Sequence, residues 1–250
     1  MRRIIIVLLC MVAGGWQCMA AASKQSADEA YQQDQFDEAI RQYEELIATD
    51  GVSAAVYYNL GNSYYKTKNF AKAILNYERA LLLQPGDADI RFNLEMAKSK
   101  TVDQITPTAE VFVVTWTRAL VNSRSERAWS WTAVGAFWLV LVGLAVYLFS
   151  RRVGWKKVGF IGAALMLVVC IVSHFCARHQ KLELERRDGA IVVAPSVTVT
   201  STPNESGTAL FVLHEGAKVF IEDNSMKEWK EVRLEDGKKG WLPATALEEI

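Results

Sequence analysis

Residues 57–85 read YYNLGNSYYKTKNFAKAILNYERALLLQP, and this stretch decides the architecture. Sliding the chain against itself by 34 residues carries Phe36 onto Phe70, Ala39 onto Ala73, Ile40 onto Ile74, Tyr43 onto Tyr77 and Leu46 onto Ala80. A partial third copy follows, in which Tyr58, Asn59 and Leu60 recur as Phe92, Asn93 and Leu94. Apolar residues recurring at this period mark stacked helix-turn-helix units, each of which buries its face only against its neighbour. In the central unit Gly61 and Ala73 let the two helices approach, Tyr57 and Tyr77 fill the space between them, and Pro85 ends the second helix. The first unit is degenerate, with Ala27 in the glycine position and Gly51 in the proline position. The third supplies one helix, from Ala88 to about Lys98, expected to cap the stack, so the repeat region covers residues 23–100.

Tyr57, Leu60, Gly61, Tyr64, Ala73, Tyr77, Ala80 and Pro85 together resemble the tetratricopeptide (TPR) signature at all eight of its positions. The resemblance implies an all-α solenoid whose groove binds an extended peptide of a partner protein. On that pattern Lys24, Asn59 and Asn93 fall where the groove presents polar groups. Asp28 and Asp89 stand where a clamp for a terminal carboxylate wants asparagine and lysine, which argues against carboxylate capture. A face carrying Asp28, Tyr58, Asn62, Tyr65 and Lys66 suits a neutral or basic peptide. The candidate partner-binding set is therefore Lys24, Asp28, Tyr58, Asn59, Asn62, Tyr65, Lys66 and Asn93.

The formal charge of zero conceals a strong segregation. Residues 23–110 carry 9 basic and 14 acidic side chains, residues 111–187 carry 11 and 3, and residues 188–250 carry 6 and 11. Two acidic modules flank a basic apolar middle, the distribution of a protein whose centre meets lipid headgroups. Neither acidic module has the basic excess that nucleic-acid binding requires. Residues 131–149 and 158–177 are uncharged runs long enough to cross the ~30 Å hydrocarbon core as helices. The loop 150–157 between them holds Arg151, Arg152, Lys156 and Lys157, which favours a cytoplasmic turn. Residues 178–189 form a charged linker, expected to begin as a short helical stalk on the second span. Residues 108–122 carry a shorter apolar strip, interrupted by Arg118, that reads as an interfacial helix at headgroup level or as a further helix packed on the repeat.

Residues 1–22 combine Arg2 and Arg3, an apolar run and terminal alanines, the pattern of a secretory signal peptide, with an uncleaved anchor as the alternative. Export of residue 23 onward and two returning spans put the repeat and the C-terminal module on the same, periplasmic side of a bacterial inner membrane. All four cysteines, Cys10, Cys18, Cys170 and Cys176, fall in apolar segments, so no disulfide or paired-cysteine zinc site is expected in the soluble modules. His174, Cys176 and His179 do not form a metal set, because His174 and Cys176 are two apart on a helix and point to different faces.

From residue 190 the pattern changes to short β-prone runs at 191–193, 197–200, 210–213, 218–221, 229–234 and 239–242, separated by turns such as Glu235-Asp236-Gly237. Some sixty residues of this kind close into a small all-β barrel. Leu213-His214-Glu215-Gly216, Trp229 with Val232-Arg233-Leu234, and Gly240-Trp241-Leu242 resemble the bacterial SH3 (SH3b) family, which the chain is expected to contain at residues 190–250. Trp241 is the candidate ligand aromatic of this module. For both Trp229 and Trp241 the reading favoured by their valine and leucine neighbours is inward packing.

The order of leader, TPR repeat, two spans and SH3b module resembles BatE-type proteins of the Bacteroides aerotolerance (Bat) operons. The particular residues are Tyr58-Asn59-Leu60-Gly61-Asn62, Arg91-Phe92-Asn93-Leu94-Glu95, Val113-Val114-Thr115-Trp116 and Ser150-Arg151-Arg152. The resemblance implies a place beside membrane-anchored von Willebrand A-domain partners in an envelope complex linked to oxygen tolerance. No HExxH, GxSxG, Walker A or GxGxxG pattern occurs, so catalysis, a cofactor and a metal are not expected. The function expected is a non-catalytic scaffold or adaptor binding partners through its repeats. The alternative is a tether or sensor that binds peptidoglycan through the SH3b module.

Overall fold

The computed structural model describes residues 23–49, 51–106, 111–186 and 188–250. The expected leader, residues 1–22, lies outside them, as do the first residues of the short apolar helix expected at 108–122.

Five helices open the described chain: α1 (Lys24–Gln32), α2 (Phe36–Thr49), α3 (Ala54–Lys66), α4 (Phe70–Leu83) and α5 (Ala88–Lys98). The first helix of each unit begins on a side-chain cap. Ser23, Ser53 and Asp87 accept from the backbone N–H groups of Ser26, Val56 and Ile90 respectively, satisfying donors that a helix start leaves without partners.

The repeat recurs in the backbone itself. Asp34 and Lys68, one period apart in the two inter-helix turns, are both left-handed, at φ 58° and 63°. Gln35 N–H bonds Ala30 O at 3.0 Å, and its counterpart Asn69 N–H bonds Tyr64 O at 2.9 Å. Tyr31 meets Phe36 edge-on, as Tyr65 meets Phe70, with ring centroids 5.5 Å apart in both pairs. The degenerate first copy thus builds the same unit as the central one.

At Gly61 α3 and α4 approach closely. A Cβ there would lie 2.7 Å from two ring carbons of the fully buried Tyr77. Gly61→Val is therefore expected to destabilise the repeat by about 3 kcal/mol, since overpacking a tight core displaces both helices. Thermal unfolding of the purified full chain would show the loss, and an unchanged midpoint would contradict this packing.

Three further helices follow: α6 (Phe112–Val121), α7 (Glu126–Phe149) and α8 (Val153–Arg186). Helices α7 and α8 are long and apolar enough to cross a membrane. Only 6% of the apolar window of α7 and 22% of that of α8 is buried within the chain. They pair along a seam of small residues, where a Cβ on Gly143 would lie 2.9 Å from Gly159 O and one on Gly159 would lie 2.7 Å from Gly143 O. Helix boundaries here differ from the sequence expectation. The loop expected at 150–157 shrinks to Ser150–Arg152, and the linker expected at 178–189 is helical to Arg186. The charges there suit a helix, with Lys181 facing Glu185 one turn on and Arg186 facing Glu183.

The C-terminal module is a seven-stranded antiparallel sheet in the order β3-β2-β6-β5-β4-β1-β7. Its strands are β1 (Gly189–Val192), β2 (Ser196–Thr200), β3 (Ala209–His214), β4 (Lys218–Asp223), β5 (Trp229–Leu234), β6 (Lys239–Pro243) and β7 (Leu247–Glu249). Ala190, Val199, Leu213, Val219, Val232 and Leu242, one from each of six strands, share a single core cluster, so the sheet curls around it. Trp229 and Trp241 are not in that core; both are half-buried. The parity of the strands accounts for the departure from the inward packing expected. Val232 and Leu234 of β5 point inward, as do Gly240 and Leu242 of β6, and alternation turns odd-numbered neighbours to the other face.

The sheet and the helical repeat are not independent. Strand β1 is buried on both faces: Ala190 and Val192 enter the sheet core, while Ile191 enters the repeat core among Ala73, Ile74, Tyr77, Ile90, Leu94 and Ala97. It packs against α4, at the end of the stack where the third repeat has no second helix. Charge ties surround this contact. Glu248 faces Lys72 and Arg79, and the buried Glu78 holds Lys218 at 2.7 Å and Lys98 at 3.3 Å. Asp103 accepts from the His214 backbone N–H at 2.6 Å and meets its ring Nδ1 at 2.9 Å. Gly216, at φ +89°, turns the chain where a Cβ would sit 2.4 Å from Thr101 Cγ2, so the turn demands glycine for both conformation and space.

Candidate peptide-binding face

The first helices of the three units, α1, α3 and α5, share one face of the stack. Hydrogen bonds cross from each to the next. Asp28 on α1 accepts from Asn59 Nδ2 on α3 at 2.9 Å and from the Tyr43 hydroxyl on α2 at 2.6 Å, and it also pairs with Lys24. On α3, Asn62 Oδ1 accepts from the Tyr77 hydroxyl at 2.8 Å and from Asn93 Nδ2 of α5 at 3.0 Å. Asn93 Nδ2 also donates to the Tyr58 hydroxyl at 2.9 Å. Lys24, Asp28, Tyr58, Asn59, Asn62 and Asn93 thus come together in a polar ladder across the face. Tyr65 and Lys66 are not part of it: Tyr65 is engaged with Phe70, and the Lys66 ammonium lies 6.0 Å from the Phe36 ring centroid.

The electrostatics of the ladder bear on its ligand. Burial pushes the Asp28 carboxyl up, but hydrogen bonds from Lys24, Tyr43 and Asn59 and the charge of Lys24 overcome it and hold the group below the ordinary carboxylate range. Tyr43 moves the opposite way, raised by burial and by donating to that carboxylate. Asp28 is therefore a compensated pin between α1, α2 and α3, with little charge left to attract a basic segment. Among the described residues, the ladder leaves the side-chain carbonyls of Asn59 and Asn93 and part of the Asn62 amide uncommitted. Such amides can both accept from and donate to the backbone of an extended chain.

Beside the ladder stands Phe92, 66% exposed on α5. Phe92 is not in the candidate set that the sequence suggests, although the 34-residue offset that pairs Tyr58 with Phe92 carries the signal. An open cavity of about 860 Å³ lies between the β2–β3 and β4–β5 loops, lined by Pro203, Asn204, Glu205, Ser206, Met226, Lys227, Glu228 and Trp229. Trp229, not Trp241, is the tryptophan that lines it. Among the described residues, no group of three or more His, Cys, Asp or Glu is placed to hold a metal ion.

An array of paired helices with a polar ladder across its first helices defines a class of protein-interaction module. Residues 25–94 match the family model of the tetratricopeptide repeat. A comparison of the whole chain with curated proteins finds no match.

Proposed function

We propose that the chain is a non-catalytic, membrane-anchored scaffold that receives an extended segment of a partner protein on the face formed by α1, α3 and α5. The observation that carries this reading is the ladder itself. Its asparagine groups are held in place by one another and by Tyr58 and Tyr77, so little side-chain entropy remains to be lost when a peptide backbone binds. Helices α7 and α8 serve as the two spans, α6 lies at headgroup level, and the repeat and the sheet stand together on the exported, periplasmic side. The likeness in order and wording to BatE-type proteins supports, as a finer reading, a role in a Bat-type aerotolerance or stress complex, with membrane-anchored von Willebrand A-domain proteins as the expected partners.

A photo-crosslinking residue at position 92 or 58, introduced into the chain in living cells, is expected to label a discrete membrane partner. The same residue at Leu82, on α4, serves as the off-face control. Equal labelling from both faces, or none from position 92 or 58, would sink the reading.

The cavity beside Trp229 favours a second reading, in which the sheet acts as an SH3b module and binds peptidoglycan. Retention of the detergent-solubilised chain on purified sacculi, and its loss on Trp229→Ala but not on Trp241→Ala, is the outcome that reading requires.

A further inference from the structure

We infer that the junction where α6 meets α7 and α8 is a seat for anionic phospholipid headgroups, an inference that rests on the reading of α7 and α8 as membrane spans. The junction is built around one carbonyl. Val121 O, at the end of α6, accepts from Trp129 Nε1 of α7 at 2.9 Å and from Gln180 Nε2 of α8 at 2.9 Å. Gln180 Nε2 also donates to Arg124 O at 2.6 Å. Trp129 and Gln180 are both buried, and Val121, Trp129, Cys176 and Ala177 pack as one small cluster. These bonds fix Trp129 and Gln180 at a common depth.

Cations gather at that depth. Arg127 precedes Trp129 by two residues and Arg178 precedes Gln180 by two, so each lies within about 3 Å of the junction along its helix axis. The band they define matches the interfacial layer, which is about 5–8 Å deep on each side of a bilayer. Arg124 stacks over the Trp129 ring at 5.7 Å and makes one long bond to Thr132. Arg127 and Arg178 are exposed and have no ion-pair partner among the described residues. The nearest carboxylate in sequence, Glu126, accepts instead from Ser130 Oγ at 2.9 Å. From Trp129 to Phe149 the helix runs about 30 Å, the thickness of the hydrocarbon core, which sets Arg151 and Arg152 at the opposite surface.

The apolar side chains of α6 complete the seat. Val111 at the start of α6 and Phe112, Val113, Val114 and Trp116 on it are 45–79% exposed, and the clamp on Val121 fixes the C-terminal end of that helix at the level of the cations. Apolar side chains together with the exposed guanidinium groups of Arg127 and Arg178 fit the acyl boundary and phosphate layer of an anionic lipid, where each cation contributes about fivefold to affinity. The repeat rests on the same junction: a Cβ on Gly86, in the turn between α4 and α5, would lie 2.6 Å from Ser123 O. Headgroups bound here would therefore set the height of the peptide-binding face above the bilayer.

The test uses the full chain in mild detergent, with dioleoyl phosphatidylglycerol and dioleoyl phosphatidylcholine as probes and bound lipid counted by native mass spectrometry. The chain is expected to retain phosphatidylglycerol over phosphatidylcholine. The triple variant Arg124→Gln, Arg127→Gln, Arg178→Gln should lose at least tenfold of that affinity with its thermal midpoint unchanged. The quadruple variant Arg151→Gln, Arg152→Gln, Lys156→Gln, Lys157→Gln at the other end should keep the tightest-bound lipid. Equal retention of the two lipids, or undiminished binding by the triple variant, overturns the inference. Alkaline carbonate extraction separates the two levels of argument. Release of the chain from membranes would defeat the spanning reading and this inference with it, whereas a chain that stays embedded but shows no lipid preference defeats the seat alone.

Discussion

Ile191→Ala is expected to loosen the helical repeat more than the sheet in which Ile191 resides, at a cost of about 3 kcal/mol. The side chain is fully buried and belongs to one core cluster with Ala73, Ile74, Tyr77, Ile90, Leu94 and Ala97, all from α4 and α5. Truncation removes three carbon atoms from a site that two helices and a strand enclose, and such a site collapses poorly. Ala190 and Val192 remain in place to hold β1 in the sheet core, so the sheet should keep most of its stability. Hydrogen exchange on the full chain would locate the effect: amides of α4 and α5 are expected to exchange faster, and those of β2, β3 and β6 at nearly the original rate. Faster exchange confined to the sheet would contradict the assignment of Ile191 to the repeat core.

The second large effect is expected at Glu78, which is buried on α4 between Lys98 of α5 and Lys218 of β4. Glu78→Ala leaves two partly buried ammonium groups, Lys218 without its carboxylate and Lys98 with only the longer contact to the exposed Glu95 at 3.7 Å. The expected loss is about 3 kcal/mol, the low end for breaking a buried ion pair, because both lysines keep some access to water.

The pH dependence follows from the same triad. Burial pushes the Glu78 carboxyl up, and the charges of Lys218 and Lys98 overcome it and hold it below its ordinary value of 4.5. Burial pushes Lys98 down, and Glu78 overcomes that and holds it above 10.5. A depressed carboxylate stabilises the fold fully above 4.5 and loses that contribution as pH falls through its lower, folded value. A raised ammonium stabilises below 10.5 and loses its contribution as pH rises through its higher, folded value. The triad should therefore support a stability plateau between about pH 4.5 and 10.5, with an acid limb below it. Glu78→Gln should lower the plateau and flatten the acid limb. A full acid limb retained in that variant would assign it to other carboxylates, and the triad would lose its claimed weight.

What the sequence disclosed and what it concealed divide along a physical line. The repeat was legible because its signal is local: a 34-residue offset records packing between neighbouring helices, and even the left-handed turns at Asp34 and Lys68 obey it. Most of the ladder was legible for the same reason, since Asp28, Asn62 and Asn93 are repeat positions. Tyr65 and Lys66 fell outside it because aromatic neighbours at the turns engage them first.

The docking of the sheet was not legible from periodicity, because Lys72 meets Glu248 across 176 residues. One trace of it was present. Ala190 to Val193 is apolar at four consecutive positions, and a strand with one face in water alternates. The two tryptophans show the converse error: their apolar neighbours suggested inward packing, while the parity of Val232 and Leu242 assigns the odd-numbered positions to the opposite face.

The insertion of Ile191 among α4 and α5 also has a consequence in time. During synthesis the ribosome completes the repeat helices first, yet the partners of Lys72 and Glu78 on the sheet come 176 and 140 residues later. At ordinary elongation rates that is an interval of about 7–35 s during which the newly made repeat has an open apolar end. A chaperone or the membrane itself has that interval in which to hold the end closed, and a chain stalled within it would display the surface that the finished protein hides.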